Sequence, residues 1–300
     1  MDVDWSEHQR WVCIEERWVN VIDVGSGPPV LFIHGLACWQ SWLENICFFA
    51  RDHRVIAMDL PGFGASPLPL EPVSIPGYAR IINTLCEELG VEQATVVGNS
   101  MGGFIGAEVA IRFPGRVERL CLAPAIGLNM EWVRAERKKN LSSLVENFLF
   151  FALLWLAVRS DVPVLRPGLR SKLLGLIVAH PERLPAALIL AVVRGSGRLI
   201  AVPVALEAMT RYPIRDRLGE ITCPTLIIWG ADDRLVPVQD ADEFEWLIPE
   251  SRKLIYEDTG HMPMLERPDR FNADLRAFLY EALLPPPGIR ARPTGVSRPR

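Results

Sequence analysis

The chain has 300 residues, of which 49% are hydrophobic and 23% are charged, and its formal net charge is −4 at pH 7. This length and composition allow one large domain, or one domain that carries a smaller inserted one, and they exclude a chain that is disordered throughout. The mild negative charge and the lack of a basic stripe with interleaved aromatic residues argue against nucleic acid as a partner.

Short β-branched or aromatic runs alternate with helical patterns over the first part of the chain. Strands separated by helices need crossover connections, so the sheet should be mostly parallel. A tight turn at residues 16–17 should join the first two strands. We predict strands over 11–15, 18–24, 30–33, 54–58, 95–97 and 119–122, and helices over 41–50, 76–89 and 101–113.

The alternation stops near residue 127 and resumes near residue 218. Residues 128–217 show no convincing strand pattern and are punctuated by prolines, which predicts a helical cap inserted into one core domain made of residues 1–127 and 218–284. Residues 285–300 are rich in proline and arginine and are predicted to be disordered. The second part of the core should contain strands over 225–229 and 253–256, and helices over 239–247 and 268–283.

An unbroken apolar run in the predicted cap, FLFFALLWLAV at residues 148–158, raises the question of membrane contact. It is too short to span a bilayer, which needs about 20 apolar residues. We therefore expect no stable membrane insertion, although an exposed part could contact lipid transiently or a second subunit, so that a monomer and a homodimer both stay open. The same run could line an apolar pocket or only form the core of the cap, together with Leu173, Leu174, Leu176 and Ile177.

The cysteines and the N-terminus bear on the compartment of the protein. The cysteines are scattered without C-x-x-C spacing, so we expect buried free thiols and no disulfide framework. Residues 1–10 are polar and lack the apolar stretch of a signal peptide, which favours the cytoplasm unless an export signal has been removed. The six cysteines are Cys13, Cys38, Cys47, Cys86, Cys121 and Cys223.

A strand–turn–helix joint at residues 95–103, TVVGNSMGG, fits the pattern G-x-S-x-G, in which a nucleophile stands on a sharp turn. Gly98 and Gly102 remove side chains that would collide at such a turn. The hydroxyl of Ser100 would then stand clear of the sheet, and the backbone N–H of Met101 would point at a developing oxyanion. The alternative is an ordinary joint of small residues, because five-residue matches arise by chance.

Five motifs, in order, resemble those of the α/β-hydrolase superfamily over about residues 11–283. They are FIHG at 32–35, DLPGFGAS at 59–66, GNSMGG at 98–103, WGADDRLVP at 229–237 and GHMP at 260–263. The resemblance implies an α/β fold with a mostly parallel eight-stranded sheet flanked by helices and an inserted helical cap. It also implies a catalytic triad in the chain order serine, acid, histidine.

By this resemblance Ser100 is the nucleophile, His261 is the general base and Asp233 orients the histidine. A serine hydroxyl needs such a base, because it is a poor nucleophile at neutral pH. The acid is selected from two adjacent aspartates. The family pattern G-x-x-D-x-x-x-P, read from residue 230, selects Asp233 and leaves Asp232 as a loop residue or a helix cap.

Other titratable residues have weaker claims to a role. His53 precedes a strand and is expected at the surface, and His180 should lie at a helix boundary in the insertion. His34 either supports the oxyanion loop or is a structural, hydrogen-bonded histidine. Asp258 is close to His261 in sequence, but the motif gives it no role.

The resemblance places a second oxyanion donor, the backbone N–H of Leu36, beside that of Met101. The loop that follows would line the pocket, with Trp39 as either a substrate wall or a helix-packing aromatic. Because a metal cluster and a cofactor fingerprint are both missing from the sequence, we expect neither a metal nor a cofactor. Further substrate contacts are assigned to His34, Asn99 and Met262.

A serine nucleophile argues against relatives that use aspartate, such as haloalkane dehalogenases and epoxide hydrolases. Acyl transfer to water through an acyl-enzyme remains. We therefore predict a carboxylic ester hydrolase, either a carboxylesterase or lipase-like, that acts on a small hydrophobic ester. The alternatives are a carbon–carbon bond hydrolase of ring-cleavage products, a lactonase or a perhydrolase, and, outside enzymes, a ligand receptor on the same fold.

The carbon–carbon hydrolases share the GNSMGG turn but differ at two places. Their loop after the first buried strand is glycine-rich, whereas residues 36–39 here read LACW. Tryptophan commonly follows their catalytic histidine, whereas Met262 follows His261 here. Both departures favour an ester substrate, and the presence of a complete triad disfavours the receptor.

Overall fold

The computed structural model describes residues 4–69, 72–128, 172, 174–195 and 201–281. The strands are β1 Gln9–Ile14, β2 Arg17–Val24, β3 Pro29–Ile33, β4 Arg54–Met58, β5 Ala94–Ser100, β6 Val117–Ala125, β7 Thr225–Gly230 and β8 Ser251–Tyr256. The helices are α1 Leu43–Phe49, α2 Ile75–Glu88, α3 Met101–Arg112, α4 Ala186–Gly195, α5 Ala201–Arg211, α6 Gln239–Leu247, α7 Pro263–Glu266 and α8 Pro268–Tyr280.

The eight strands form one sheet in the order β1-β2-β4-β3-β5-β6-β7-β8. Strand β2 pairs antiparallel with β1 and with β4, whereas all pairs among β3 to β8 are parallel. This arrangement confirms the predicted fold class, a mostly parallel eight-stranded sheet flanked by helices. Because parallel strands share one direction, their carboxyl ends meet at the same edge of the sheet.

Two apolar layers cover the sheet, one on each face. On one face Ile82 of α2, Phe104 of α3 and Phe244 of α6 belong to a single buried cluster. On the other face Ile46 of α1 and Phe271 of α8 belong to a second cluster. Burial on both faces explains why the inner strands read as continuous apolar runs.

The predicted elements agree with the structure in place and differ at their ends. The hairpin turn lies at Glu15 and Glu16, one residue earlier than predicted, and both residues have positive φ values of 47° and 62°. Such values suit a two-residue hairpin whose twist matches that of its strands. The helix predicted over 41–50 opens with a 3₁₀ turn at Trp39–Trp42, and the short helix α7 was not predicted.

The described residues between β6 and β7 form helices and connecting turns, with no strand among them. Helices α4 and α5 lie there, inside the predicted insertion. The apolar run at 148–158, Leu173 and the tail at 285–300 lie outside the described residues. Where the chain is described, none of its helices combines the length and the apolar character that a membrane span requires.

Two expectations about burial were wrong in part. All six cysteines are free, as expected, but Cys13 and Cys47 are exposed. Cys13 lies on the edge strand β1, where alternate side chains face solvent. His53, expected at the surface, is buried because its ring packs edge-on against Phe49 and Tyr280, with centroid distances of 5.9 and 6.0 Å.

Candidate active site

Ser100 stands at a strained turn between β5 and α3. Its backbone angles, φ 57° and ψ −121°, are unfavourable for a residue with a side chain, and such strain is concentrated at functional sites. A Cβ atom on Gly102 would lie 2.1 Å from the carbonyl oxygen of Ile33, and one on Gly98 would lie 2.3 Å from the carbonyl oxygen of Gly102. The two glycines are therefore needed for close packing, which favours a nucleophile turn over an ordinary joint.

Loops from distant parts of the sequence meet Ser100 at the carboxyl edge of the sheet. After β3, the backbone at Gly35 approaches so closely that a Cβ atom there would lie 2.8 Å from Cβ of Ser100. After β8, the carbonyl oxygen of His261 accepts a hydrogen bond of 3.2 Å from Nδ2 of Asn99. The buried amide of Asn99, the residue before Ser100, thus ties the histidine loop to the turn of Ser100.

His261 and Asp233 form a buried pair at the same edge of the sheet as Ser100. Nδ1 of His261 lies 2.8 Å from Oδ2 of Asp233, and the other carboxylate oxygen accepts the backbone N–H groups of Leu235 and Val236 at 2.8 and 2.9 Å. The side chain of Asp233 is 0% exposed and that of His261 is 6% exposed. A proton on Nδ1, donated to Asp233, leaves Nε2 of His261 as a hydrogen-bond acceptor.

The hydroxyl of Ser100 forms no hydrogen bond within the described residues. Catalytic hydrogen bonds are often long in a free enzyme and shorten when substrate binds, so this geometry is compatible with general-base catalysis. The structure brings Asp233 to His261, whereas Asp232 is exposed and its backbone N–H donates to the carbonyl oxygen of Thr259 at 2.9 Å.

His34 is fully buried, and both of its ring nitrogens are engaged by the backbone. Nδ1 donates to the carbonyl oxygen of Gly35 at 2.7 Å, and Nε2 accepts the N–H of Leu60 at 2.9 Å. Burial lowers the pKa of His34, although the nearby carboxylate of Asp59 opposes that shift. A neutral ring with no free nitrogen fits support of the oxyanion loop better than contact with substrate.

The other residues expected in the pocket differ in their burial and in the side chains they pack against. Trp39 is 6% exposed, and its ring centroid lies 5.2 Å from that of Trp5. It shares an apolar cluster with Leu188 of α4, which favours its role as a helix-packing aromatic. Met262 is half-buried against the same cluster, and Leu36 is half-buried in the loop after β3.

The buried carboxylate of Asp59 fastens the loop that carries Leu36. One oxygen accepts the backbone N–H of Trp39 at 3.0 Å. The other accepts the N–H of Ala65 at 2.9 Å and the side-chain amide of Asn20 at 2.7 Å. The sequence motif around residue 59 marked this position, but its partners emerge only from the fold.

We expect Asp59→Ala to lower the free energy of unfolding by about 1–3 kcal/mol for each buried donor that it leaves unpaired. Turnover should fall as well, because the loop after β3 loses its anchor. Urea unfolding and steady-state kinetics check the two effects. Asp216→Ala, at an exposed position, is the control. Unchanged stability in Asp59→Ala would contradict the anchoring role.

Two further carboxylates lie near the histidine loop, Asp258, to which the sequence motif gave no role, and Glu266, which the sequence analysis did not single out. Asp258 pairs with Arg183 at 2.6 Å, with Arg267 at 2.8 Å and with His180. The hydrogen bonds from Arg183 and His180 lower the pKa of Asp258. The cluster lies at the surface and joins residues 180–183 to the loop after β8. The other carboxylate, Glu266, contacts the histidine loop itself. The sequence carries no specific signal for it, because its partners are backbone N–H groups.

A metal site is not formed by the described residues, among which no three histidine, cysteine or acidic side chains converge in a suitable cluster.

The chain resembles known proteins over most of its length. The family model described as alpha/beta hydrolase fold matches residues 28–268. A 2-hydroxy-6-oxo-6-phenylhexa-2,4-dienoate hydrolase from Comamonas testosteroni is 28% identical over 285 residues, which cover 88% of this chain and 91% of that protein. A solved structure of a membrane phospholipase A, described as a bacterial virulence factor, has a TM-score of 0.72 and 28% identity, covering 90% of this chain and 85% of that one.

A further relative is the dihydrolipoyllysine-residue acetyltransferase component of the acetoin cleaving system of Cupriavidus necator. It is 30% identical over 264 residues, which cover 85% of this chain. The match spans 64% of the length of that relative, which is therefore a longer protein with a similar part.

Proposed function

Because this chain belongs to the α/β-hydrolase family, we propose that it is a serine hydrolase that cleaves carboxylic esters through Ser100, His261 and Asp233. The observation that carries the proposal is the buried contact of 2.8 Å between Nδ1 of His261 and Oδ2 of Asp233, at the same sheet edge as the strained turn of Ser100. This arrangement has the parts that acyl transfer requires: a nucleophile, a base and a residue that orients the base.

The proposed reaction proceeds through an acyl-enzyme. Oγ of Ser100 attacks the ester carbonyl carbon while Nε2 of His261 takes the hydroxyl proton. The backbone N–H groups of Leu36 and Met101 donate to the oxyanion, and each such donor contributes about 3 kcal/mol to transition-state stabilisation. His261 then gives its proton to the leaving alcohol. Water, deprotonated by the same nitrogen, attacks the acyl-enzyme and releases the acid and free Ser100.

The proposal includes residues 128–217 as a cap over Ser100. Two contacts between described residues support it. The backbone N–H of His261 donates to the carbonyl oxygen of Ile177 at 2.8 Å, and Sγ of Cys38 donates to that of Val192 at 3.4 Å. The apolar side chains near these contacts favour a small substrate with a hydrophobic acyl or alcohol group.

A carbon–carbon bond hydrolase is the second candidate, because the dienoate hydrolase from Comamonas testosteroni matches over 91% of its own length. The serine, histidine and aspartate of this chain would serve that reaction equally. The ester hydrolase remains the preferred function, because residues 36–39 and Met262 depart from the pattern of carbon–carbon hydrolases.

A panel of p-nitrophenyl esters, from acetyl to palmitoyl, tests the proposal. We expect hydrolysis with a maximum of kcat/KM at one chain length, because a pocket of fixed size fits one acyl group best. A 2-hydroxy-6-oxo-dienoate is assayed in parallel. Cleavage of the dienoate with no ester hydrolysis would favour the second candidate and contradict the first.

A further inference from the structure

The carboxylate of Glu266, at the end of α7, accepts hydrogen bonds from the backbone on both sides of His261. Oε1 accepts the N–H of Gly260 at 3.0 Å and that of Met262 at 3.2 Å. Oε2 lies 3.0 Å from the same N–H of Gly260. The residues immediately before and after the histidine are therefore fixed by one side chain.

The same carboxylate also holds the end of the insertion. Oε2 of Glu266 accepts the N–H of Ala179 at 2.7 Å, and two residues earlier the carbonyl oxygen of Ile177 accepts the N–H of His261 at 2.8 Å. The histidine loop and residues 177–179 are thus joined by hydrogen bonds in both directions. The backbone position of His261 depends on this junction.

A carboxylate suits this position better than an amide. Three backbone N–H groups converge on two oxygens, and an ionised carboxylate accepts at both, whereas an amide offers one acceptor and turns two donors of its own toward the N–H groups. Hydrogen bonds to an ionised acceptor are also about twice as strong as neutral ones. Burial raises the pKa of Glu266, and the hydrogen bonds from Gly260, Ala179 and Met262 oppose that shift.

We propose that Glu266 is a positioning residue, which holds His261 in register with Ser100 and couples that position to residues 177–179 of the insertion. The inference rests on the proposed function, because it assigns the purpose of the junction to the general base. Glu266 acts through the backbone of the histidine loop and contacts neither Ser100 nor Asp233 in the structure.

The test measures the second-order rate constant with which an alkyl fluorophosphonate labels Ser100. In this reaction Oγ of Ser100 bonds to phosphorus, fluoride leaves and His261 takes the hydroxyl proton, so the rate reports on the nucleophile and base without any ester substrate. Because a misplacement of 1 Å can cost about 100-fold, we expect Glu266→Gln to label about 10- to 100-fold more slowly. Glu266→Asp, which keeps two acceptor oxygens, should recover part of that loss.

A second readout separates positioning from a merely structural role. The imidazole proton shared by His261 and Asp233 gives a downfield proton resonance, and we expect Glu266→Gln to broaden or shift it at a temperature where the variant is folded. Glu257→Gln is the matched control, because Glu257 is exposed and lies three residues before Gly260 in the same loop.

The outcomes distinguish this inference from the function on which it rests. If the wild type and Glu266→Gln label at the same rate and show the same resonance, the positioning role is overturned and the serine hydrolase stands. If Glu266→Asp labels no faster than Glu266→Gln, the carboxylate is not what positions the histidine, and the proposal also fails. A wild type that does not label at all overturns the proposed function, and the role of Glu266 with it.

Discussion

Ser100→Ala should fold like the wild type and lose nearly all turnover, by about 10⁴- to 10⁶-fold in kcat. The physical reason is that the acyl-enzyme cannot form without the hydroxyl oxygen, whereas the backbone donors of the oxyanion site remain. A residual rate above that in water is expected for this reason. The measurement is kcat with the best ester of the panel, alongside the thermal unfolding temperature of both proteins.

Ser74→Ala is the matched control for this result. The hydroxyl of Ser74 caps α2 by accepting the N–H of Gly77 at 3.1 Å, so its removal should cost about 1 kcal/mol of stability and leave kcat unchanged. The pair of variants thus separates loss of stability from loss of chemistry. Wild-type turnover in Ser100→Ala would show that another residue is the nucleophile.

The parts of the site that the sequence predicts are those with a local signature. The turn of Ser100 has one because any side chain at Gly102 or Gly98 would meet backbone oxygens at 2.1 or 2.3 Å, close to Ser100 or on the neighbouring strand. Asp233 has one because its own loop supplies the N–H groups that hold it. Such short-range constraints leave a fixed spacing in the chain.

The parts that the sequence missed depend on partners far away in the chain. Glu266 accepts an N–H from Ala179, which lies 87 residues earlier, and backbone donors leave no residue-specific signal. Trp39 stayed undecided between two roles because the helix that it packs against, α4, lies far from it in the chain, between β6 and β7. His53 was misplaced for the same reason, since the ring of Tyr280 that covers it lies at the end of α8.

Asp233→Asn should lower kcat by about 10⁴-fold while the fold is retained. The amide oxygen can still accept the N–H groups of Leu235 and Val236, which lie 2.8 and 2.9 Å from the present carboxylate. The amide nitrogen would then face Nδ1 of His261 as a donor. The ring would carry its proton on Nε2 instead, and that nitrogen could not accept the proton of Ser100.

The neighbouring Asp232→Asn provides the sharpest control, because it makes the same chemical change one residue away on an exposed side chain. We expect its kcat to equal that of the wild type. Steady-state kinetics of the two variants across pH 6 to about 9 would show whether the loss in Asp233→Asn persists when more base is present in solution. The loss should persist, because the amide that replaces the carboxylate fixes the tautomer of His261 however much base is in solution. Equal activity of the two variants would mean that His261 is oriented by a group other than Asp233.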